Sequence, residues 1–240
     1  MTKKKVFTLI NEQNGNLAFK LFSFQDNSHF DILQQNNYYT IIWLKKGKGL
    51  LKVDVSEYSI QENTFFSFAP FQPFLFSTNE NFEGIAIQFH SDFYCIHRNP
   101  TETHCDTFLF NTIYQAPFFT LNASSQEKFD AIITQLIAEL NSEETRNHEL
   151  LVPHLKILLV NASRTKEKSS VEKPTFSDTK TPYILQSLKN TIEAHFKEKH
   201  TAREYADILN ISPNALAKLV KSHYNKTLTN LITERIIIDA

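Results

Sequence analysis

Cysteine is scarce: Cys95 and Cys105 are the only two in 240 residues, too few for a disulfide framework. No apolar run approaches the roughly 20 residues that a membrane helix needs. The first residues, MTKKKVFTLINEQNG, start basic but lack an apolar h-region, which argues against a signal peptide. Cytoplasmic residence and no membrane partner are therefore expected. The net charge of −1 excludes a uniformly basic coat for nucleic acid, so only a local excess of charge is informative. Cys95-x-His97 and His104-Cys105 hold four side chains of the types that bind tetrahedral zinc. Their spacing matches no familiar ribbon or finger, and the reading taken is structural thiols with surface histidines. No metal and no cofactor are expected, and no internal repeat is evident.

The residues present divide into a strand-rich and a helix-rich part. Tyr38–Lys46 is a β-branched and aromatic run ending in the turn signal Gly47-Lys48-Gly49, and Leu50–Ile60 alternates with Leu51, Val53 and Val55 on one face. NTFFSFAPFQPFLF reads as two short strands interrupted by Pro70 and Pro73, which are confined to edges or corners. Phe82–His90 alternates again. Short strands at this spacing predict a barrel or jelly roll. Ser124-Ser125-Gln126-Glu127 has the pattern of a capping box, and Phe129, Ile132, Ile133, Leu136, Ile137 and Leu140 follow at helical spacing. A second helix is predicted over Glu149–Ala162. Two such amphipathic helices either cover the barrel or pair with a second subunit. Ser163–Pro182 is poor in apolar residues and rich in Ser, Thr, Lys and Pro, as a linker is.

Residues 201–235 carry the sharpest pattern. Thr201 and Glu204 form a capping box, and Tyr205, Ala206, Ile208 and Leu209 follow as an apolar stripe. Asn210-Ile211 breaks the helix. Ser212 caps the next one, with Pro213 at the first helical position, where its missing N–H costs nothing. Leu216, Leu219 and Val220 bury one side and leave Asn214, Ala217, Lys218 and Lys221 on the other. From Asn210 to Arg235 the cations Lys218, Lys221, Lys226 and Arg235 face Glu234 alone. A short helix with small, amide and basic side chains outward suits the major groove. Asn pairs with adenine, Lys donates to guanine, and Ala contacts a thymine methyl. Lys221 and the Ser212 end suit phosphates.

The string Ala206-x-x-Leu209-x-x-Ser212-Pro213-Asn214-x-Leu216-x-Lys218-Leu219-x-Lys221 resembles the DNA-binding region of AraC-type bacterial transcription regulators. The strand, Gly-Lys-Gly turn and Pro-containing strand over roughly residues 20–90 resemble the cupin-like effector domain of the same regulators. This resemblance implies an α+β chain in three parts. Residues 1–162 would form a cupin-like β-barrel with two following helices, for effector binding and dimerisation. Residues 163–182 would be the linker, and 183–240 an all-α helix–turn–helix unit. It implies double-stranded DNA, a small-molecule effector and a second copy of the chain as partners. The DNA contacts carried over are Asn214, Ala217, Lys218 and Lys221, to which the reading of the helix start adds Ser212. Tyr39, Trp43, Phe66, Phe68 and Phe76 are candidates to line an apolar effector pocket.

Two departures from the family pattern stand out. Asn225 replaces the usual Gly after the recognition helix, a substitution that a left-handed helix end accepts. The family carries two helix–turn–helix units joined by a long helix, and the sequence ends at Ala240 inside that connector. Either the 240 residues are a piece of a longer chain or half of the DNA grip is missing, and weak, salt-dependent DNA binding is expected at physiological salt. The competing readings are a cupin-type enzyme and a ligand-binding or dimerisation module without DNA function. Enzymatic cupins hold a metal with a close His-x-His, a Glu and a later His. Here His29 and His90 are isolated, Phe74 follows Pro73 where a ligand would be expected, and the chain is read as a non-enzyme.

Overall fold

The computed structural model describes residues 6–11, 13, 15–54, 56–94, 109–110, 113–142, 150–171, 180–224 and 226–239. The chain is α+β and divides into two compact units. One comprises residues 1–111 and 117–172, and the other comprises residues 112–116 and 173–240.

Among the described residues the first unit contains nine strands: β1 (Val6–Ile10), β2 (Leu17–Phe24), β3 (Tyr39–Lys46), β4 (Gly49–Val53), β5 (Ser56–Ile60), β6 (Thr64–Phe68), β7 (Phe74–Ser77), β8 (Glu83–Phe89) and β9 (Phe118–Thr120). They pair antiparallel into a six-stranded sheet of order β1-β2-β8-β3-β6-β9 and a three-stranded sheet of order β5-β4-β7. Of the expected barrel or jelly roll, the described residues thus form two sheets and no closed barrel. The expected Leu50–Ile60 strand is also divided. Asp54 adopts φ +52°, a left-handed conformation that Asp tolerates, and the chain folds back so that Val53 faces Ser56. Alternation continues on both sides of this turn, so periodicity alone did not reveal it.

Alternate residues of the large sheet serve two different cores. Phe22, Phe24, Ile42, Leu44, Phe66 and Phe68 pack with Leu51, Val53, Ile60, Phe74 and Phe76 of the small sheet. Phe19, Leu21, Tyr39, Ile41, Trp43, Phe65, Ile87 and Phe89 pack on the opposite face with helices α1 (Ala123–Asn141) and α2 (Leu151–Val171). The central strand β3 is buried on both faces, which is why its sequence reads as a continuous apolar run rather than an alternation. The apolar stripes of α1 and α2 are therefore used within the chain. Phe129, Ile132, Ile133 and Leu136 come from α1, and Leu151, Leu155, Leu158 and Leu159 from α2.

Two helix boundaries differ from expectation. The cap of α1 is Asn122, whose side chain accepts from Ser125 N–H at 2.9 Å. Asn is at least as good a cap as Ser and stands two residues earlier. The second helix continues nine residues beyond Ala162, through half of the expected linker. Ser163 and Lys166 extend its inward side and are 8% and 2% exposed. Lys166 Nζ reaches the Leu109 carbonyl at 3.4 Å. Counting polar residues hid this continuation, because some of them face inward. Residues 180–182 likewise open helix α3 (Lys180–His195).

The second unit is helical: α3 is followed by α4 (Ala202–Ile208), α5 (Pro213–Tyr224) and α6 (Leu228–Asp239). Its core gathers Leu188, Ile192, Phe196, Tyr205, Ala206, Leu216, Val220, Leu228, Leu231 and Ile232 around Ile113. No helix among the described residues is long and apolar enough to cross a membrane.

Candidate nucleic-acid interface

The turn between α4 and α5 follows from local chemistry at both ends. Thr201 and Glu204 form the expected reciprocal capping box: Thr201 N–H donates to the Glu204 carboxylate at 2.9 Å, and Glu204 N–H donates to Thr201 Oγ1 at 3.4 Å. Hydrogen bonds from the Thr201 hydroxyl and then its backbone hold the Glu204 carboxyl below the usual carboxylate range. At the other end Asn210 takes φ +53°. Asn210 N–H bonds Asp207 O at 3.2 Å and Ile211 N–H bonds Ala206 O at 3.1 Å. This is a Schellman closure with Asn in the left-handed position. Two residues later Ser212 caps α5, its Oγ accepting from Ala215 N–H at 3.2 Å and its carbonyl from Leu216 N–H at 3.0 Å.

The exposure of α5 follows the helical period. Leu216 and Val220 are fully buried, whereas Ser212, Asn214, Ala217, Lys218 and Lys221 are all exposed. Asn214, Ala217, Lys218 and Lys221 stand at i, i+3, i+4 and i+7, the spacing of one helix face. Twelve residues make a helix about 18 Å long, which a major groove about 12 Å wide admits. Two anchors are weaker than expected: Leu219 is only half-buried, and Ile208 is 40% exposed. Tyr205 and Ala206 are the fully buried residues of α4, with Ala202 partly buried against the same core. The Tyr205 hydroxyl donates to the Lys199 carbonyl at 3.0 Å, and burial pushes its pKa up to about 12.

The local cation excess is smaller than the sequence suggests. Lys226 is 3% exposed and its Nζ lies 2.7 Å from the Glu234 carboxylate. Arg235 pairs with Glu193 at 2.9 Å and stacks on Phe196 at 4.0 Å. Both cations hold the unit together, so the outward cations of this helix pair are Lys218 and Lys221 on α5 and Arg203 on α4, where Asp207 is exposed as well.

A contribution with no local sequence signal comes from residues 112–116. Ile113 is 2% exposed in the helical core, and its carbonyl accepts from Lys226 Nζ at 3.3 Å. The Tyr114 hydroxyl donates to Glu193 at 2.8 Å, with Tyr224 at 6.1 Å and Lys189 Nζ 5.4 Å from the ring. Burial first, then the hydrogen bond and charge of Glu193, raise the Tyr114 pKa well beyond the usual phenol range.

The five rings expected to share one effector pocket are divided by the large sheet. Tyr39 and Trp43 lie in the core beneath the helices, whereas Phe66, Phe68 and Phe76 lie between the sheets. Phe68 stacks on Phe74 at 3.9 Å, Phe66 meets Phe76 at 5.1 Å, and Tyr39 meets Phe110 at 4.7 Å. Alternation along β3 and β6 cannot bring both sets to one face. Among the described residues no three His, Cys, Asp or Glu gather as a metal would require. His29 lies edge-on to Phe22, and His90 Nδ1 accepts from Asp92 N–H at 3.2 Å. Cys95, His97, His104, Cys105 and Asn225 lie outside the described residues.

No family profile matches the chain, and no curated protein matches it. Among solved structures it is similar to the AraC-like transcriptional activator CuxR, at 9% identity and a TM-score of 0.37, over 93% of this chain and 73% of that one. It is similar to apo ToxT of Vibrio cholerae at 13% identity and a TM-score of 0.38, over 98% of this chain and 81% of that one. A cupin protein of Bacteroides fragilis overlaps 38% of this chain and 80% of its own, at 11% identity and a TM-score of 0.29. At such identities and scores the functional reading rests on the geometry of α4 and α5.

Proposed function

We propose that the chain is a DNA-binding transcription regulator whose α5 enters the major groove. One observation carries the reading: Asn214, Ala217, Lys218 and Lys221 are exposed on one face while Leu216 and Val220 anchor the opposite face. The side-chain types suit direct readout, with Asn214 for adenine, Lys218 for guanine and Ala217 for a thymine methyl. Ser212 and Lys221 take phosphates and set the register without reading sequence.

The first unit is the regulatory part in this proposal, binding a small-molecule effector. The resemblance of its strand pattern to cupin-like effector domains supports that assignment. A homodimer would place two readers on one duplex and multiply their weak individual grip. Leu150, just before α2, and Ile157 within it are both exposed and offer such a pairing an apolar contact.

Selection of duplexes from a random-sequence pool at about 50 mM salt, where phosphate contacts are strong, tests the DNA reading. The expected result is a shared short site. Asn214→Ala and Lys218→Ala should each weaken binding to it by about 1–3 kcal/mol and relax preference at one position. A pool that never enriches, or variants that bind the selected site as the parent does, would defeat the proposal.

A further inference from the structure

We infer that the first unit has a binding site for a small organic anion in the cleft between the start of α1 and the C-terminal half of α2. The cleft has a volume of about 400 Å³ and receives Lys128 from α1 and Arg164 and Lys168 from α2. That size falls within the range of small-ligand sites, roughly 300–1,000 Å³. No Asp or Glu lines it among the described residues. No hydrogen bond or ion pair joins any of the three cations to another described residue. All three cations are solvent-exposed on the walls of one concavity, and an anion bound there would meet all three charges.

The remaining walls have the same sense. α1 carries no acidic residue in its first turn, where one usually offsets the positive helix end. Ser124 adds a hydroxyl to the lining, and Asn161 adds an amide that already donates to the Ile157 carbonyl. Phe129 supplies the only aromatic surface among the lining residues, which disfavours a long apolar ligand. The recognisable ligand is therefore compact and multiply charged, a phosphorylated or polycarboxylate small molecule. Lys168 alone would be explained by its place in the last turn of α2, but Lys128 and Arg164 are not. The cleft belongs entirely to the first unit, and the inference stands whether or not α5 binds DNA.

Calorimetric titration of the full chain with inorganic pyrophosphate and, separately, citrate at constant ionic strength tests it. Saturable binding with one site per chain is expected for at least one probe. Pyrophosphate alone would indicate a phosphate ester as ligand, and citrate alone a polycarboxylate. Arg164→Gln/Lys168→Gln should weaken that binding at least about tenfold, the loss expected from charge-assisted hydrogen bonds. Lys128→Gln, on the other helix, should weaken it independently. The control Lys46→Gln/Lys52→Gln makes the same change in net charge on exposed strand positions and should bind as the parent does. Absence of saturable binding by both probes, or equal weakening in the cleft and control variants, overturns the site.

Discussion

Lys226 Nζ and the Glu234 carboxylate form a buried ion pair at 2.7 Å, with side-chain exposures of 3% and 10%. The same ammonium donates to the Ile113 carbonyl, so one cation just before α6 ties the middle of that helix to Ile113. Removing either partner leaves an uncompensated charge out of water. Lys226→Met or Glu234→Gln should each lower stability by about 3–5 kcal/mol, whereas Lys226→Met/Glu234→Leu should recover most of the loss. Denaturant unfolding of the three variants measures the coupling, and additive losses would contradict it.

Tyr114 makes the helical unit sensitive to alkali. Its pKa is raised in the folded state, so the stability it lends is complete below the ordinary phenol value near 10 and is lost as pH rises above it. Thermal unfolding should show a fall in stability above about pH 10 that is smaller in Tyr114→Phe. Near pH 7 the same variant loses only the hydrogen bond to Glu193, at a cost of about 1 kcal/mol. Identical alkaline profiles for the two proteins would count against this role.

Gly84 is the one position in β8 where neighbouring strands leave no room for a side chain. A Cβ there would collide with the Trp43 carbonyl and come within 2.6 Å of Phe24 Cζ. Gly84→Ala should therefore destabilise the first unit by about 1–3 kcal/mol through overpacking. Gly15→Ala meets no atom within 4 Å but carries φ +72°, so its cost comes from backbone strain alone, about 1 kcal/mol. Comparing the two midpoints in denaturant separates crowding from conformation.

Lys221 and Lys218 should differ in what they change. If Lys221 holds a phosphate, Lys221→Ala weakens binding equally for all duplexes and lowers the slope of log affinity against log salt by about one. Lys218→Ala should instead alter preference at one base pair. Affinity measured at several salt concentrations, on selected and scrambled duplexes, distinguishes the two.

Much of the local structure was legible in the sequence. Thr201, Glu204, Asn210 and Ser212 act through hydrogen bonds spanning five residues or fewer, and Leu216 and Val220 share a face by helical period alone. β3, β6 and β7 were legible for a similar reason, since runs of β-branched and aromatic residues are bounded on one side by Gly or Pro, and β8 was legible from its alternation. The α4–α5 turn and the outward face of α5 were thus determined by neighbours in the chain.

Burial of polar groups and the pairing of distant segments were decided only by tertiary structure. In the sequence Lys226 and Arg235 count toward the cation excess of this segment, and in the fold Glu234 and Glu193 pair with them. Arg164 and Lys168 looked like linker until α2 was seen to continue over Ser163 and Lys166 toward Leu109. Ile113 and Tyr114 show no periodicity that marks them as part of a helical core built from residues about 75–120 positions later. A lysine has the same letter whether water or a carboxylate surrounds it, and that choice depends on contacts that local sequence does not encode.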